Sequence, residues 1–139
     1  MGLTRRGFQE LAEVRIAEAG VLLANSMWDG AYYLAGYAVE CALKACIAKL
    51  TRAEEFPDKD RAAKAFTHKL DDLLKLAGLE ADQRADMPLG SVRWVNWQVV
   101  IRWAEWSRYA RKTQAEAEEL FAAITNPSNG VFPWIKARW

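Results

Sequence analysis

The chain has 139 residues, 52% of them hydrophobic and 27% charged, with 19 basic against 18 acidic side chains and a net charge of +1. Such a length makes one domain, residues 1–139, able to bury a core without disulfides or metal, and such a composition excludes a disordered chain. The charge balance excludes a global basic field, so any nucleic-acid site has to be local.

From Thr4 to Asn25 the pattern is that of an amphipathic helix, with Phe8, Ala12, Ile16, Ala19 and Leu23 on one face. Asn25 and Ser26 read as stop and cap residues, and a short link predicts an antiparallel pairing with the next helix. That second helix, DGAYYLAGYAVECALKACIAKL from Asp29 to Leu50, is the predicted centre of the fold. One apolar seam runs through Tyr32, Gly36, Val39, Leu43, Cys46 and Leu50, and a second, of mostly small residues, through Leu34, Ala38, Cys41, Ala45 and Ala48. A helix apolar on two faces is touched from both sides. Its third stripe carries Tyr33, Tyr37, Glu40 and Lys44.

The charged stretch around Pro57 reads as a loop, with a short helix from Arg61 to Ala65. Thr67 is then placed to cap a third helix, whose Leu70, Leu73, Leu74 and Ala77 face the core before Gly78 ends it. Another helical turn is expected before Pro88 and Gly90. A fourth helix is predicted from Ser91 to about Tyr109, with two apolar seams. Val92, Val95, Val99, Trp103, Trp106 and Ala110 form one; Trp94, Trp97, Ile101 and Ala104 form the other, which Arg108 continues. Two tryptophan-bearing seams predict burial on both sides, by the C-terminal tail, by a second subunit, or by both. Trp94, Trp97 and Ile101 are thus the candidate dimer-interface residues, and the tryptophans read as core rather than as base-stacking surfaces. Thr113 and Glu116 have capping-box spacing and open a fifth helix buried through Ala117, Leu120, Phe121 and Ile124. Pro133 is placed to open a short apolar helix in the tail. The expected fold is all-α, an up-and-down bundle of four to five helices with a short C-terminal helical tail.

Much common chemistry has no residues to run on. The single histidine, His68, has Ala65 three positions before it, so no Glu-x-x-His dimetal site is present, and the two cysteines share one helix, pointing about 140° apart, which rules out a zinc cluster and a mutual disulfide. There is no phosphate-binding Gly-rich loop and no nucleophile elbow. No metal and no cofactor are expected. Glu40, Lys44 and Lys49 interrupt the central apolar helix, against a membrane span, and the N-terminus has no signal-peptide pattern, so a cytoplasmic protein is expected.

Three groups of polar residues remain. His68, beside Lys69, is either an acid or base near neutrality or an exposed helix-start residue. Arg108, Tyr109, Arg111 and Lys112 cluster where two helices meet, as an anion site or a solvated turn. Glu40 and Lys44 are either a simple intrahelical pair or, with Tyr33 and Tyr37, a polar site between helices.

Three stretches resemble the HEPN family, the higher eukaryotes and prokaryotes nucleotide-binding domain. They are AGYAVECALKACI, similar to its second-helix pattern of Glu and then Lys four residues on; FTHKLDDLLKLAG, similar to its Thr-His-x-Leu element; and SRYARKTQAEAEELFAAI, similar to its Arg-Tyr turn and Thr-capped helix. The resemblance implies a homodimeric helical bundle, in bacteria often encoded beside a nucleotidyltransferase in a toxin–antitoxin or defence pairing. Many members are metal-independent ribonucleases whose signature is Arg, four to six residues, then His. Here the positions that follow Arg108 at that spacing are Thr113, Gln114 and Ala115, none of which replaces an imidazole. Arg61 and His68 match the spacing formally, but in the wrong element.

The resulting expectation is a non-catalytic homodimer that binds nucleotide or RNA phosphate, or a nucleotidyltransferase partner, at Glu40, Lys44, His68, Lys69, Arg108, Tyr109 and Lys112. The enzymatic alternative is a divergent ribonuclease using His68 with Arg61 or Arg108. A pure interaction scaffold is the third.

Overall fold

The computed structural model describes residues 3–51 and 59–139, the side chains of 59–61 excepted. The Pro57 loop and the Arg61 side chain therefore lie outside the described residues.

Helix α1 runs Arg5–Ala24 and begins where Thr4 Oγ1 accepts the Gly7 amide at 3.0 Å, satisfying one of the orphan donors of the first turn. Asn25 closes it, and Ser26 takes a left-handed φ of 60° to reverse the chain into α2, Trp28–Lys49. Ser26 is thus a reversal residue rather than a cap: Met27 occupies the cap position and makes no side-chain hydrogen bond. The α1–α2 pair is the largest helix interface in the molecule. Thirteen of the 22 residues of α2 are buried, and α7 (Gln114–Thr125), α4 (Leu70–Leu76) and α8 (Val131–Lys136) pack on it as well. The two-seamed helix is therefore the centre of the fold; of its seam residues only Leu50, just past its end, is exposed.

The short segments follow local rules. Helix α3 spans Lys59–Lys64. Helix α4 begins two residues later than the Thr67 cap predicts, with Lys69 at its N-cap, and the Thr67 hydroxyl instead accepts the Lys69 amide at 3.3 Å. Leu70, Leu73 and Leu74 are fully buried, each contributing about 1.5–3 kcal/mol of apolar transfer. At the other end, Gly78 (φ 73°) donates to Lys75 O and Leu79 to Leu74 O, the paired bonds of a Schellman ending. Helix α5 is Glu80–Asp86. Arg138 binds its Asp82 and Asp86 carboxylates, at 3.0 and 2.6 Å, and lies over the Trp134 ring of α8, tying the tail to the body.

The largest correction falls on the fourth predicted helix. Helix α6 stops after nine residues, Val92–Val100, and a 3-10 helix from Glu105 to Tyr109 follows it. Between them the backbone tightens to i→i+3 bonds at Arg102 and Trp103 and then extends at Ala104 (φ −140°, ψ 157°). The break turns Trp103 inward, where its indole Nε1 donates to Tyr33 O at 3.2 Å. The broken helix buries Trp97, Val100 and Trp103 together and leaves Val92, Val95 and Trp106 in solvent. Trp94 and Ile101 are half-buried against the same core. Of the candidate interface residues, Trp97 is thus packed by the chain itself while Trp94 and Ile101 remain partly accessible, and Val92, Val95 and Trp106 of the other seam are uncovered.

Thr113 and Glu116 form the expected capping box at α7, whose Ala117, Leu120 and Ile124 are buried. Among the described residues the fold is all-helical, with eight α-helices where a bundle of four to five and a tail was expected; the short segments α3 and α5 add to the count, and the long fourth helix is cut to α6 and a 3-10 turn. No described helix is long and apolar enough to cross a membrane.

Candidate functional site

Glu40 sits in the middle of α2 and is only 2% exposed. A carboxylate so buried needs partners to remain charged. Two are supplied: Lys44 Nζ lies 3.4 Å from Oε2, one helical turn on, and His68 Nδ1 lies 2.9 Å from Oε1. His68 reaches it from the extended residues before α4, which is why the delayed start of that helix matters. The other ring nitrogen, Nε2, faces Glu105 Oε2 at 3.6 Å. Glu105 in turn pairs with Arg108 Nη1 at 3.5 Å. In a 3-10 helix residues i and i+3 eclipse, so Glu105 and Arg108 share one face while Trp106 and Tyr109 share another.

These contacts make one polar line, Lys44–Glu40–His68–Glu105–Arg108, running from the core to the surface. Beside it opens a cleft of about 570 Å³, walled by residues 67–71 on one side and 101–106 on the other. Of the residues read from sequence, Glu40, Lys44, His68 and Arg108 fall on this line, Lys69 lines the cleft, and Tyr109 lies under the Arg108 guanidinium at 4.8 Å from the ring centre. Lys112 does not join them. Its amide donates to the Asp29 carboxylate and its ammonium lies 4.4 Å over the Tyr32 ring, close to Glu116. It holds α7 to α2.

The phenols of the third stripe back the site. Tyr33 and Tyr37 stack with ring centres 6.0 Å apart, and Tyr33 also contacts Trp103. Burial raises the Tyr33 pKa, and the nearby Arg108 guanidinium works against that rise. Burial first, then Cys41 and Glu40, push Tyr37 up to about 12. Both are neutral hydrogen-bonding groups at physiological pH. Cys41 is likewise pushed to about 11 by burial, and so is no nucleophile.

Sequence reading missed Glu105, the residue that joins His68 to Arg108, and misplaced Trp106. Glu105 stands three before Arg108, a spacing that signals a pair on either kind of helix. Trp106 is 64% exposed and lines the cleft, and Tyr109 is 77% exposed. Among the described residues no group of three His, Cys, Asp or Glu is arranged to hold a metal ion. No family model, characterised protein or solved structure matches the chain. The likeness to the HEPN family therefore rests on the three sequence stretches alone.

Proposed function

We propose that the chain is a HEPN-like domain that binds the phosphate of a nucleotide or RNA, without catalysis, at the cleft between the start of α4 and the 3-10 helix. The observation that carries this reading is the meeting of His68 and Arg108 on one carboxylate, Glu105, with Lys69 and Arg102 on the adjoining cleft walls. Arg108 and Glu105 are both more than a third exposed, so their pairing is worth little and an incoming phosphate can replace Glu105 as the partner of Arg108. A homodimer and a nucleotidyltransferase partner belong to the same proposal, on the strength of the family resemblance.

A second reading is favoured by one contact. His68 Nδ1 is held by the buried Glu40 carboxylate while the residue lines the cleft with Nε2 toward Glu105, the arrangement that orients an imidazole for proton transfer. This is the geometry a divergent ribonuclease would use.

Labelled single-stranded RNA, mixed with purified protein in the absence of added metal and run on a gel, separates the two. A shift that Arg108→Ala weakens supports phosphate binding. Cleavage that His68→Ala abolishes replaces it with the ribonuclease, and the absence of both leaves an interaction scaffold.

A further inference from the structure

We infer that the cleft takes an unpaired nucleobase, with Trp106 as the surface on which it stacks. The inference rests on the phosphate-binding reading above and adds the part of the ligand that phosphate contacts do not define.

An indole exposed to water is a cost that packing normally removes. This chain has seven tryptophans, and it buries Trp97, Trp103 and Trp134 while leaving Trp106 64% exposed. Its exposure has a local origin: the break after Val100 that turns Trp103 inward restarts the chain as a 3-10 helix, and Trp106 then lands on the wall of the cleft instead of in the core. The cleft volume, about 570 Å³, lies within the range of about 300–1,000 Å³ typical of small-ligand sites.

The surroundings favour a polynucleotide over an apolar partner. Three cations stand on or beside the cleft: Lys69 on one wall, Arg102 on the other, and Arg108 one 3-10 turn beyond Glu105. Arg102 pairs with the exposed Glu119 at 3.4 Å, and Arg108, itself 47% exposed, with the half-exposed Glu105 at 3.5 Å. An exposed ring interleaved with cations that a phosphate can recruit is the pattern of single-strand binding surfaces, in which stacking accepts the base and basic groups track the backbone. Tyr109, three residues on and therefore on the same face as Trp106, has one side covered by Arg108 and offers the next ring along that face. Duplex nucleic acid keeps its bases stacked inside and has none to give such a ring.

Two fluorescently labelled oligomers of equal length test this by anisotropy titration: an unpaired oligoadenylate, and an abasic strand with the same phosphate backbone. The wild-type chain is expected to bind the oligoadenylate more tightly than the abasic strand. Trp106→Ala is expected to weaken the oligoadenylate by about 5- to 150-fold, the range measured for loss of one stacked base, and to leave the abasic strand unchanged. Trp106→Tyr keeps a ring and retains most of the affinity, whereas Arg108→Ala weakens both strands. Equal binding of the two strands, insensitive to Trp106→Ala, overturns the stacking role and leaves phosphate binding standing. Binding of neither strand overturns the phosphate reading and this inference with it. A change in mass by light scattering on Trp106→Ala, with oligoadenylate affinity unaltered, overturns it too and makes the indole a protein contact.

Discussion

The indole of Trp103 occupies the space that a side chain at position 36 would need: a Cβ added to Gly36 would stand 2.2 Å from Trp103 Cδ1. Glycine in a helix interior ordinarily costs about 0.5–1 kcal/mol relative to alanine. Here that cost admits a large aromatic ring against the backbone of α2. Gly36→Ala is accordingly expected to destabilise the fold by about 1–3 kcal/mol through overpacking, read as a lower urea midpoint. A rise in the midpoint would show that the indole moves aside freely.

Lys44 and Glu40 give a second test. Lys44→Met leaves the Glu40 carboxylate buried with His68, among the described residues, as its remaining ion-pair partner, and a loss approaching about 3–5 kcal/mol is expected. Adding Glu40→Gln removes the charge that was stranded, so the double variant should recover most of that stability. A double variant no more stable than Lys44→Met alone would mean that the two charges are not coupled in the folded state.

The buried thiols set an alkaline limit. Burial pushes Cys41 and Cys46 up from an ordinary value near 9 to about 11. Below pH 9 both the folded and the unfolded chain keep these protons; between 9 and 11 the unfolded chain releases them first, so stability falls as pH rises. Tyr37, raised from 10 to about 12, extends the decline in the same direction. Urea midpoints at pH 8, 9.5 and 11 should fall in that order, and less steeply in a Cys41→Ala, Cys46→Ala variant. Identical slopes would remove the thiols from the account.

Trp97 and Val95 separate core from surface on one short helix. Trp97 is 2% exposed and Val95 47%. Trp97→Ala should cost about 3–5 kcal/mol whatever the oligomeric state, whereas Val95→Lys should leave the urea midpoint of the isolated chain nearly unchanged. If the proposed dimer forms, light scattering of Val95→Lys and Val92→Lys tests whether the uncovered valines of α6 are its contact. A dimer that persists in both variants places the contact elsewhere.

The parts of the fold that were legible in the sequence are those fixed by local chemistry. The Thr113 cap, the Gly78 ending and the leucines of α4 follow from single residues and their nearest neighbours. The end of α6 was not legible, because residues 91–109 contain no proline or glycine and keep helical spacing throughout. The break accompanies a tertiary contact, the Trp103 ring seated over Gly36 on another helix, and no window on the fourth helix contains that information. The same holds for the site. Glu40, Lys44, His68 and Arg108 were singled out by type, but the residue that joins the last two, Glu105, acquires its role only when the 3-10 helix meets the start of α4.

Trp103 belongs to two compartments at once, since it seals the interior over Gly36 and also forms part of the cleft wall. Whatever occupies the cleft therefore leans on the same ring that holds the middle of the central helix closed. Occupancy should slow deuterium uptake at the amides around Tyr33 and Gly36, residues that do not line the cleft, and deletion of the ring should erase that distant protection along with the wall.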